Sequence, residues 1–205
     1  MIASNFDLIR PELPDADIRY YPNFIKYQDA TALLDRLLYE TDWKEESITL
    51  FGKKYKQPRL TAWYGEEQMN YSYSGINMVA VPFTPTLLKI RSLVEYFTNE
   101  TFNSVLLNLY RDGDDSNGWH SDDEKELGKD PVIASLSLGA VRKFKLKYRL
   151  DSTIRYDISL GHGSLLLMKA ETQHFWKHQI PKSKKVDQAR INLTFRRIIP
   201  NQINH

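Results

Sequence analysis

The sequence predicts an α+β protein in which an N-terminal part with helices precedes a jelly-roll core, that is, a double-stranded β-helix. Two observations predict this class. Apolar residues recur with a helical period in the N-terminal third, and from Ser104 onward the period changes to two, as in strands. Many short strands with little helix between them are typical of a jelly-roll or barrel-like core.

The helices are predicted from an apolar stripe and from a start signal. Residues 28–40 carry apolar side chains at helical spacing, namely Ala30, Leu33, Leu34, Leu37 and Leu38. Thr84-Pro85 is typical of an N-cap followed by a first turn, and it predicts a second helix that ends near Phe97. We expect both helices to pack against the core rather than to carry chemistry.

Apolar-alternating runs predict the strands, at residues 104–110, 132–138, 142–149, 154–160, 164–169, 174–180 and 190–198. Turns rich in glycine, aspartate or proline separate these runs. No repeat and no linker-like composition interrupts the chain. We therefore expect one domain over residues 1–205, with an N-terminal part at about 1–100 and the jelly-roll catalytic core at about 101–198.

Composition excludes several classes of mechanism. The 205-residue chain has no cysteine, so any metal must be held by histidine and carboxylate side chains. A net charge of +2 is only mildly basic, and a nucleic-acid partner must be argued from local patches. Without a signal peptide or a membrane-length apolar run, we expect a soluble intracellular monomer, cytoplasmic in a bacterium or nuclear in a eukaryote, with no membrane partner.

His120 and Asp122 form the first candidate metal-binding pair. Residues two apart on an extended backbone project from the same face, which suits two ligands of one ion. Two histidines and one carboxylate form the facial triad of non-haem iron(II) oxygenases. The pair alone also fits a solvated turn. The residues leave the second histidine open between His174 and His178, which differ by four positions and so share a face of the strand predicted at 174–180.

The strand at 190–198 carries the most informative pattern. Arg190, Asn192, Thr194 and Arg196 alternate with apolar residues, so a polar face that points into a barrel would bury both arginines. Buried guanidinium groups are costly without an anion, and a dicarboxylate would satisfy them. Asn108 and Tyr110 share a face of the strand at 104–110, where they are candidates to hold the same ligand. Each strand taken singly also fits an exposed edge strand.

Taken in order, Asn108-Leu109-Tyr110, His120-Ser121-Asp122, His178 and the run from Arg190 to Arg196 resemble the signature of the AlkB dioxygenases. The resemblance covers about residues 50–198, and its second half is the more specific. It implies that Fe(II) binds His120, Asp122 and His178 and that O2 is a cosubstrate. It also implies a set of residues that bind the cosubstrate 2-oxoglutarate: Asn108, Tyr110, Arg190, Asn192, Thr194 and Arg196.

The segment 50–59 interleaves aromatic and basic residues, a composition suited to stacking on bases and binding phosphates, although an ordinary solvated hairpin has it too. By the resemblance it is the finger of the duplex-acting AlkB homologue 2 type, the nearest type, with Phe51 as the wedge beside a flipped base. Segment 70–75 is similar to the family's nucleotide-recognition lid. The residues implied to contact substrate are Phe51, Arg59, Tyr71, Tyr73, Ser74, Asp123 and Glu124.

Two basic patches are further candidates for phosphate binding. Strand 142–149 alternates Lys143, Lys145, Lys147 and Arg149 with inward residues, and lysines recur in the loop at 181–185. An outer strand face is also often lysine-rich for solubility alone.

The resemblance implies oxidative demethylation of 1-methyladenine and 3-methylcytosine in single- or double-stranded DNA, and possibly in RNA, with release of formaldehyde, succinate and CO2. Three alternatives stay open on the residues. The same chemistry could act on RNA or protein, the fold could be a non-catalytic nucleic-acid-binding module, or it could be a cupin-like metal enzyme acting on sugars.

Overall fold

The computed structural model describes residues 1–3, 7–50, 53–66, 70–73, 76–79 and 81–199. The elements of the N-terminal part are β1 (Asp17–Tyr21), α1 (Tyr27–Glu40), β2 (Ser47–Leu50), β3 (Lys53–Lys56), β4 (Leu60–Gly65), β5 (Asn70–Tyr73), β6 (Ile76–Val79), β7 (Val81–Pro82) and α2 (Pro85–Thr98). The later elements are β8 (Ser104–Tyr110), β9 (Asn117–His120), β10 (Ile133–Gly139), β11 (Arg142–Tyr148), β12 (Arg155–Leu160), β13 (Ser164–Lys169), α3 (Thr172–Phe175), β14 (Trp176–Ile180) and β15 (Arg190–Arg196). A short 3-10 helix (Lys125–Leu127) lies between β9 and β10.

Both predicted helices are confirmed, and their ends follow from local chemistry. The Thr84 hydroxyl accepts a hydrogen bond from the Leu87 N–H at 3.2 Å, and proline occupies the first turn of α2. Asn99, in the left-handed conformation with φ 54°, ends that helix. Apolar residues of both helices, Ala30 and Leu87 among them, are buried in one cluster with residues of the larger sheet.

Two sheets form the core. The larger has seven strands in the order β1-β13-β10-β15-β8-β4-β7, and the smaller has four in the order β12-β11-β14-β9. Leu106 and Ile133 of the larger sheet share a buried cluster with Phe144, Leu146 and Trp176 of the smaller one, so the sheets pack face to face. The helices cover the other face of the larger sheet. This arrangement confirms the predicted α+β fold with a jelly-roll core.

The strand predicted at 174–180 is wrong in its first two residues. The segment Thr172–Phe175 is the short helix α3, and the strand begins at Trp176. Turn hydrogen bonds favour this conformation, because the His174 N–H donates to the Glu171 carbonyl at 2.9 Å and the Thr172 hydroxyl donates to the Lys169 carbonyl at 2.5 Å. His174 and His178 therefore do not share a strand face.

The segments compared above with a finger and a lid are antiparallel hairpins, β2–β3 and β5–β6. Tyr71 and Tyr73 belong to β5, while Phe51 and Ser74 lie outside the described residues. Within the described parts of the chain, none of the helices has the length and apolar character needed to span a bilayer.

Candidate metal centre and adjoining anion pocket

The pairing of β9 with β14 brings the two candidate histidines together, since His120 lies directly opposite His178 in the antiparallel register. Asp122 follows β9 by two residues. Its carboxylate oxygens lie 3.9 Å from His120 Nε2 and 4.0 Å from His178 Nε2. The three ligand atoms all lie within 4.8 Å of one another, so one ion can contact all three.

Hydrogen bonds and burial set the protonation states of the histidines. His120 Nδ1 lies 2.8 Å from the Gly118 carbonyl oxygen, which only accepts, so Nδ1 carries the proton and Nε2 offers its lone pair. The His178 ring stacks on Phe144, with centroids 5.0 Å apart. Burial lowers the pKa of His178 to about 3 and also lowers the pKa of His120. Both rings are therefore neutral at pH 7, the form that binds metals.

Asp122 is ionised and held from two sides. Burial is the largest influence on Asp122 and disfavours its carboxylate, but the charge and hydrogen bond of Arg196 and the two neighbouring histidines together outweigh burial, and the pKa falls to about 2. Arg196 Nη2 donates to Asp122 Oδ1 at 2.7 Å, and the Asp122 backbone N–H donates to Gln173 Oε1 at 2.9 Å. Two neutral imidazoles and one fixed carboxylate fit a divalent iron.

Gln173 is a fully buried residue whose amide fixes the backbone of Asp122. We expect Gln173→Met, which keeps the volume and removes the acceptor, to weaken metal binding by about 10-fold to 100-fold, because partners of ligating residues typically contribute that much. Titration of the metal-free protein with Co(II), followed by its visible absorption, measures the change. Gln179→Met on β14 is the matched control, and an equal loss in both variants would contradict the role of Gln173.

Arg190, at the start of β15, supplies a buried positive charge beside the triad. Its side chain is 1% exposed, and Nη2 donates to Ser137 Oγ at 2.9 Å. Its Nε and Nη1 have no hydrogen-bond partner among the described residues. Burial lowers the Arg190 pKa to about 10, which leaves the group charged at neutral pH. Unsatisfied buried donors on a cation indicate an anion-binding position.

The two predicted arginines differ in what they bind. Arg196 bonds the metal ligand Asp122, whereas Arg190 keeps donors directed to no protein acceptor among the described residues. Tyr110 lies directly opposite Arg190 in the β8–β15 register, and its ring centroid is 5.2 Å from the Arg190 guanidinium carbon. The two side chains are thus in contact, and both line the same cavity as the triad. A carboxylate in that cavity can accept hydrogen bonds from the Arg190 fork.

The amides of Asn108 and Asn192 have different surroundings. Asn108 Oδ1 accepts from Arg59 Nε at 2.7 Å, which leaves its NH2 group as a donor for a ligand. Asn192 Nδ2 donates to Ser135 Oγ at 2.7 Å and to the Leu136 carbonyl at 3.2 Å. The Thr194 hydroxyl donates to Asn192 Oδ1 at 2.9 Å. Asn192 therefore shapes the wall through bonds within the protein.

The triad and the anion-binding residues line one cavity between the two sheets. Its apolar wall consists of Leu106, Phe144, Leu160, Met168 and Ile180. The predicted residues Asn108, Tyr110, His120, Asp122, His178, Arg190, Asn192, Thr194 and Arg196 all line it. An apolar wall with a few converging polar groups is typical of a site that binds an organic cosubstrate beside a metal.

The described residues that line this cavity do not include those predicted to contact substrate, some of which lie outside the described chain. Arg59 is buried and donates to Asn108, so it supports the cavity wall in this structure. Asp123 is exposed and accepts from Arg149 Nη1 at 3.1 Å, and Glu124 is half-buried. The roles of Arg59, Asp123, Glu124, Tyr71, Tyr73, Phe51 and Ser74 in binding substrate stay predictions.

Several residues of the site were missed in the sequence. Ser135 and Ser137 of β10 bond Asn192 and Arg190, and their spacing of two on a predicted strand was the available signal. Gln173 gave no signal, because its contact with Asp122 spans 51 positions along the chain. His174 lies 3.1 Å from Asp130 and outside the cluster of ligand atoms, in agreement with the prediction of His178 as the ligand.

Comparisons with known proteins agree with this geometry. Residues 17–196 match the family described as the 2OG-Fe(II) oxygenase superfamily. "Alpha-ketoglutarate-dependent dioxygenase alkB homolog 3" of Mus musculus is 44% identical over 190 residues, which cover 88% of this chain and 66% of that protein. "DNA oxidative demethylase ALKBH2" of Mus musculus is 40% identical over 164 residues, which cover 76% of this chain and 68% of that protein.

The chain spans just under two thirds of the length of the alkB homolog 3 relatives that it matches, 66% for the mouse protein. The solved structure of OsALKBH1 has the same fold, with a TM-score of 0.62 at 17% identity, and the match covers 94% of this chain and all of that chain.

These matches confirm the AlkB-like resemblance. Together with the His120–Asp122–His178 cluster they confirm the predicted cofactor and cosubstrates, which are Fe(II), 2-oxoglutarate and O2. The geometry and the matches lead to one assignment: the chain belongs to the 2OG-Fe(II) oxygenase superfamily, among its AlkB-like members.

Proposed function

We propose that this protein is an oxidative demethylase that repairs N-alkylated bases in DNA, with 1-methyladenine and 3-methylcytosine as substrates. The observation that carries the proposal is the single cavity that joins a triad of neutral histidines and ionised Asp122 to the buried cation Arg190. The name of the ALKBH2 relatives, DNA oxidative demethylase, supports DNA as the substrate.

The side chains have separate tasks in this reaction. His120, Asp122 and His178 would hold Fe(II), while Arg190, Tyr110 and Asn108 would bind 2-oxoglutarate. The chemistry that bound Fe(II) supplies is the O2-dependent oxidation of the N-methyl carbon, which leaves as formaldehyde while 2-oxoglutarate becomes succinate and CO2. Arg196 keeps Asp122 ionised, and the apolar wall around Leu106 and Phe144 excludes water from the cavity.

A base must leave the helix to reach this cavity, because its lining lies between two sheets. N-methylation at the pairing edge weakens base pairing and lowers the cost of flipping the base out. Asp123 is exposed close to the triad in sequence, and Arg149 partly neutralises it. A carboxylate there favours a cationic methylated base over a neutral one.

The test is formaldehyde release and base repair on a duplex oligonucleotide that contains 1-methyladenine, with Fe(II), ascorbate and 2-oxoglutarate. Turnover that requires every component supports the proposal. The same oligonucleotide sequence in RNA and an unmethylated duplex are the comparison substrates. Turnover on methylated RNA but not on methylated DNA would contradict the DNA assignment, and 2-oxoglutarate decarboxylation without base repair would contradict demethylation of these bases.

The hairpin β2–β3 gives a second prediction. We expect Phe51→Ala to lower kcat/KM on the methylated duplex by about 10-fold, since base stacking on an aromatic side chain contributes about 1–3 kcal/mol, and to change activity on the single strand much less. Steady-state kinetics on the duplex and on the single strand measure the difference between the two losses. Tyr55→Ala, which removes a half-exposed aromatic ring of the same hairpin, is the matched control. Equal losses on both strand forms would contradict a wedge at Phe51.

A further inference from the structure

Arg142, the first residue of β11, is a buried arginine whose hydrogen bonds within the described part of the chain go to backbone carbonyl groups rather than to a carboxylate. It is 2% exposed, and its guanidinium donates to three backbone carbonyl groups. Nη1 donates to Asp112 at 2.9 Å, and Nη2 donates to Asp115 at 2.8 Å and to Pro181 at 2.7 Å. Burial lowers the pKa of Arg142, as it does for Arg190. This guanidinium thus holds backbone from two separate loops.

The two loops, residues 111–116 and residues 181–189, also bond each other. The Gly113 N–H donates to the Val186 carbonyl and the Ser183 N–H donates to the Gly113 carbonyl, both at 2.8 Å. A Cβ atom on Gly113 would lie 1.8 Å from the Ser183 carbonyl oxygen, so only glycine permits this approach. Arg142 and Gly113 together close the loops against each other, and we call this arrangement the loop clamp.

The loop clamp lies next to the anion pocket. Loop 111–116 leaves β8 directly after Tyr110, and loop 181–189 enters β15 directly before Arg190. Tyr110 and Arg190 are paired in the β8–β15 register. The Arg142 guanidinium carbon also lies 5.4 Å from the Tyr110 ring centroid, and that of Arg190 lies 5.2 Å from it. The clamp therefore ends at the two residues that face the anion.

We propose that Arg142 is a positioning residue for 2-oxoglutarate, which fixes Tyr110 and Arg190 by joining the loops at 111–116 and 181–189. The inference rests on the proposed function, since it assumes that the anion pocket binds this cosubstrate. The metal ligands depend less on the clamp, because Gly118, Gln173 and Arg196 hold His120 and Asp122 independently. The clamp thus acts mainly on cosubstrate affinity and has little effect on metal affinity.

An arginine is required because its planar fork serves three acceptors in two loops at once. A lysine at this position keeps the charge but cannot reproduce that geometry from one ammonium group. Arg142→Lys therefore separates the clamp from the simple presence of a buried positive charge.

The experiment measures binding rather than turnover. Isothermal titration calorimetry gives the Kd of 2-oxoglutarate for the protein loaded with Mn(II), and electron paramagnetic resonance gives the Mn(II) affinity. We expect Arg142→Lys to raise the Kd of 2-oxoglutarate by about 10-fold or more, from the loss of charged hydrogen bonds, and to change Mn(II) affinity by less than about twofold. The matched control is Arg155→Lys, an exposed arginine of the neighbouring strand β12.

A second measurement on the unaltered protein covers the case in which Arg142→Lys does not fold. Coupling between two sites is reciprocal, so 2-oxoglutarate must slow amide hydrogen exchange at Gly113 and Ser183 if the clamp supports its binding. An unaltered protein that binds Mn(II) but not 2-oxoglutarate would overturn the proposed function and this inference together. Normal 2-oxoglutarate binding by Arg142→Lys, or unchanged exchange at both amides, would overturn the inference alone.

Discussion

Replacing His178 with alanine is expected to lower the rate of formaldehyde release from the methylated duplex by on the order of 10³-fold or more. Loss of a residue that only orients a metal ligand typically lowers metal affinity or activity by about 10-fold to 100-fold, and loss of the ligand itself lowers them more. His178 is 5% exposed and lies opposite His120, and among the described residues no other histidine belongs to the cluster of ligand atoms. Formaldehyde release and Co(II) titration measure activity and metal binding separately, and both are expected to fall.

His174→Ala is the matched control for this variant, because it makes the same chemical change four positions earlier. His174 lies beside Asp130 and outside the cluster of ligand atoms, so His174→Ala is expected to keep metal binding and turnover within about twofold of the unaltered protein. Thermal unfolding of both variants tests whether the small cavity left at residue 178 disturbs the fold. Retained metal binding in His178→Ala, with loss in His174→Ala, would reverse the assignment of the ligand.

Periodicity predicted strands such as β11 and β15 because polar and apolar side chains alternate along them. Strand 104–110 was predicted with the bounds that the structure has, and 164–169 likewise. The pattern failed at 174–175, where turn hydrogen bonds to Glu171 outweigh the alternation that Trp176 and His178 continue. The extent of the domain stays a prediction.

Motif spacing predicted which residues line the candidate site better than it predicted the bonds between them. Residue type and spacing predicted His120, Asp122 and Arg190, the family resemblance selected His178, and all four line one cavity. The bond between Arg196 and Asp122 could not be predicted, because it joins residues 74 positions apart through the packing of two sheets. For the same reason the contacts of Arg142 could not be predicted. The sequence indicated only that Arg142 lies on the face of its strand opposite the lysines.

The buried cation at Arg190 leads to the second prediction. Arg190→Met is expected to raise the Kd of 2-oxoglutarate by about 100-fold, because two charge-assisted hydrogen bonds to a carboxylate contribute about 3 kcal/mol or more. Calorimetric titration of the Mn(II)-loaded protein measures this change. Arg197 is an exposed arginine just beyond the end of β15. Arg197→Met makes the same change in charge and is expected to leave the Kd within about twofold.

The stability of the same variant distinguishes a binding role for Arg190 from a structural one. In the absence of ligand, Arg190 is a buried charge with unsatisfied Nε and Nη1 donors among the described residues, which costs free energy in the folded state. Methionine has a similar length and no polar atoms, so the free energy of unfolding of ligand-free Arg190→Met is expected to equal or exceed that of the unaltered protein. Urea unfolding with and without 2-oxoglutarate measures the stability of the ligand-free variant and the stabilisation that the ligand adds. A variant that loses stability without ligand, and still gains the usual stabilisation from 2-oxoglutarate, would show that Arg190 supports the fold rather than the anion. We expect the opposite result, in which Arg190→Met keeps its stability without ligand and gains little from 2-oxoglutarate. The reason is that a buried arginine at this position is favourable only when a carboxylate is bound to it.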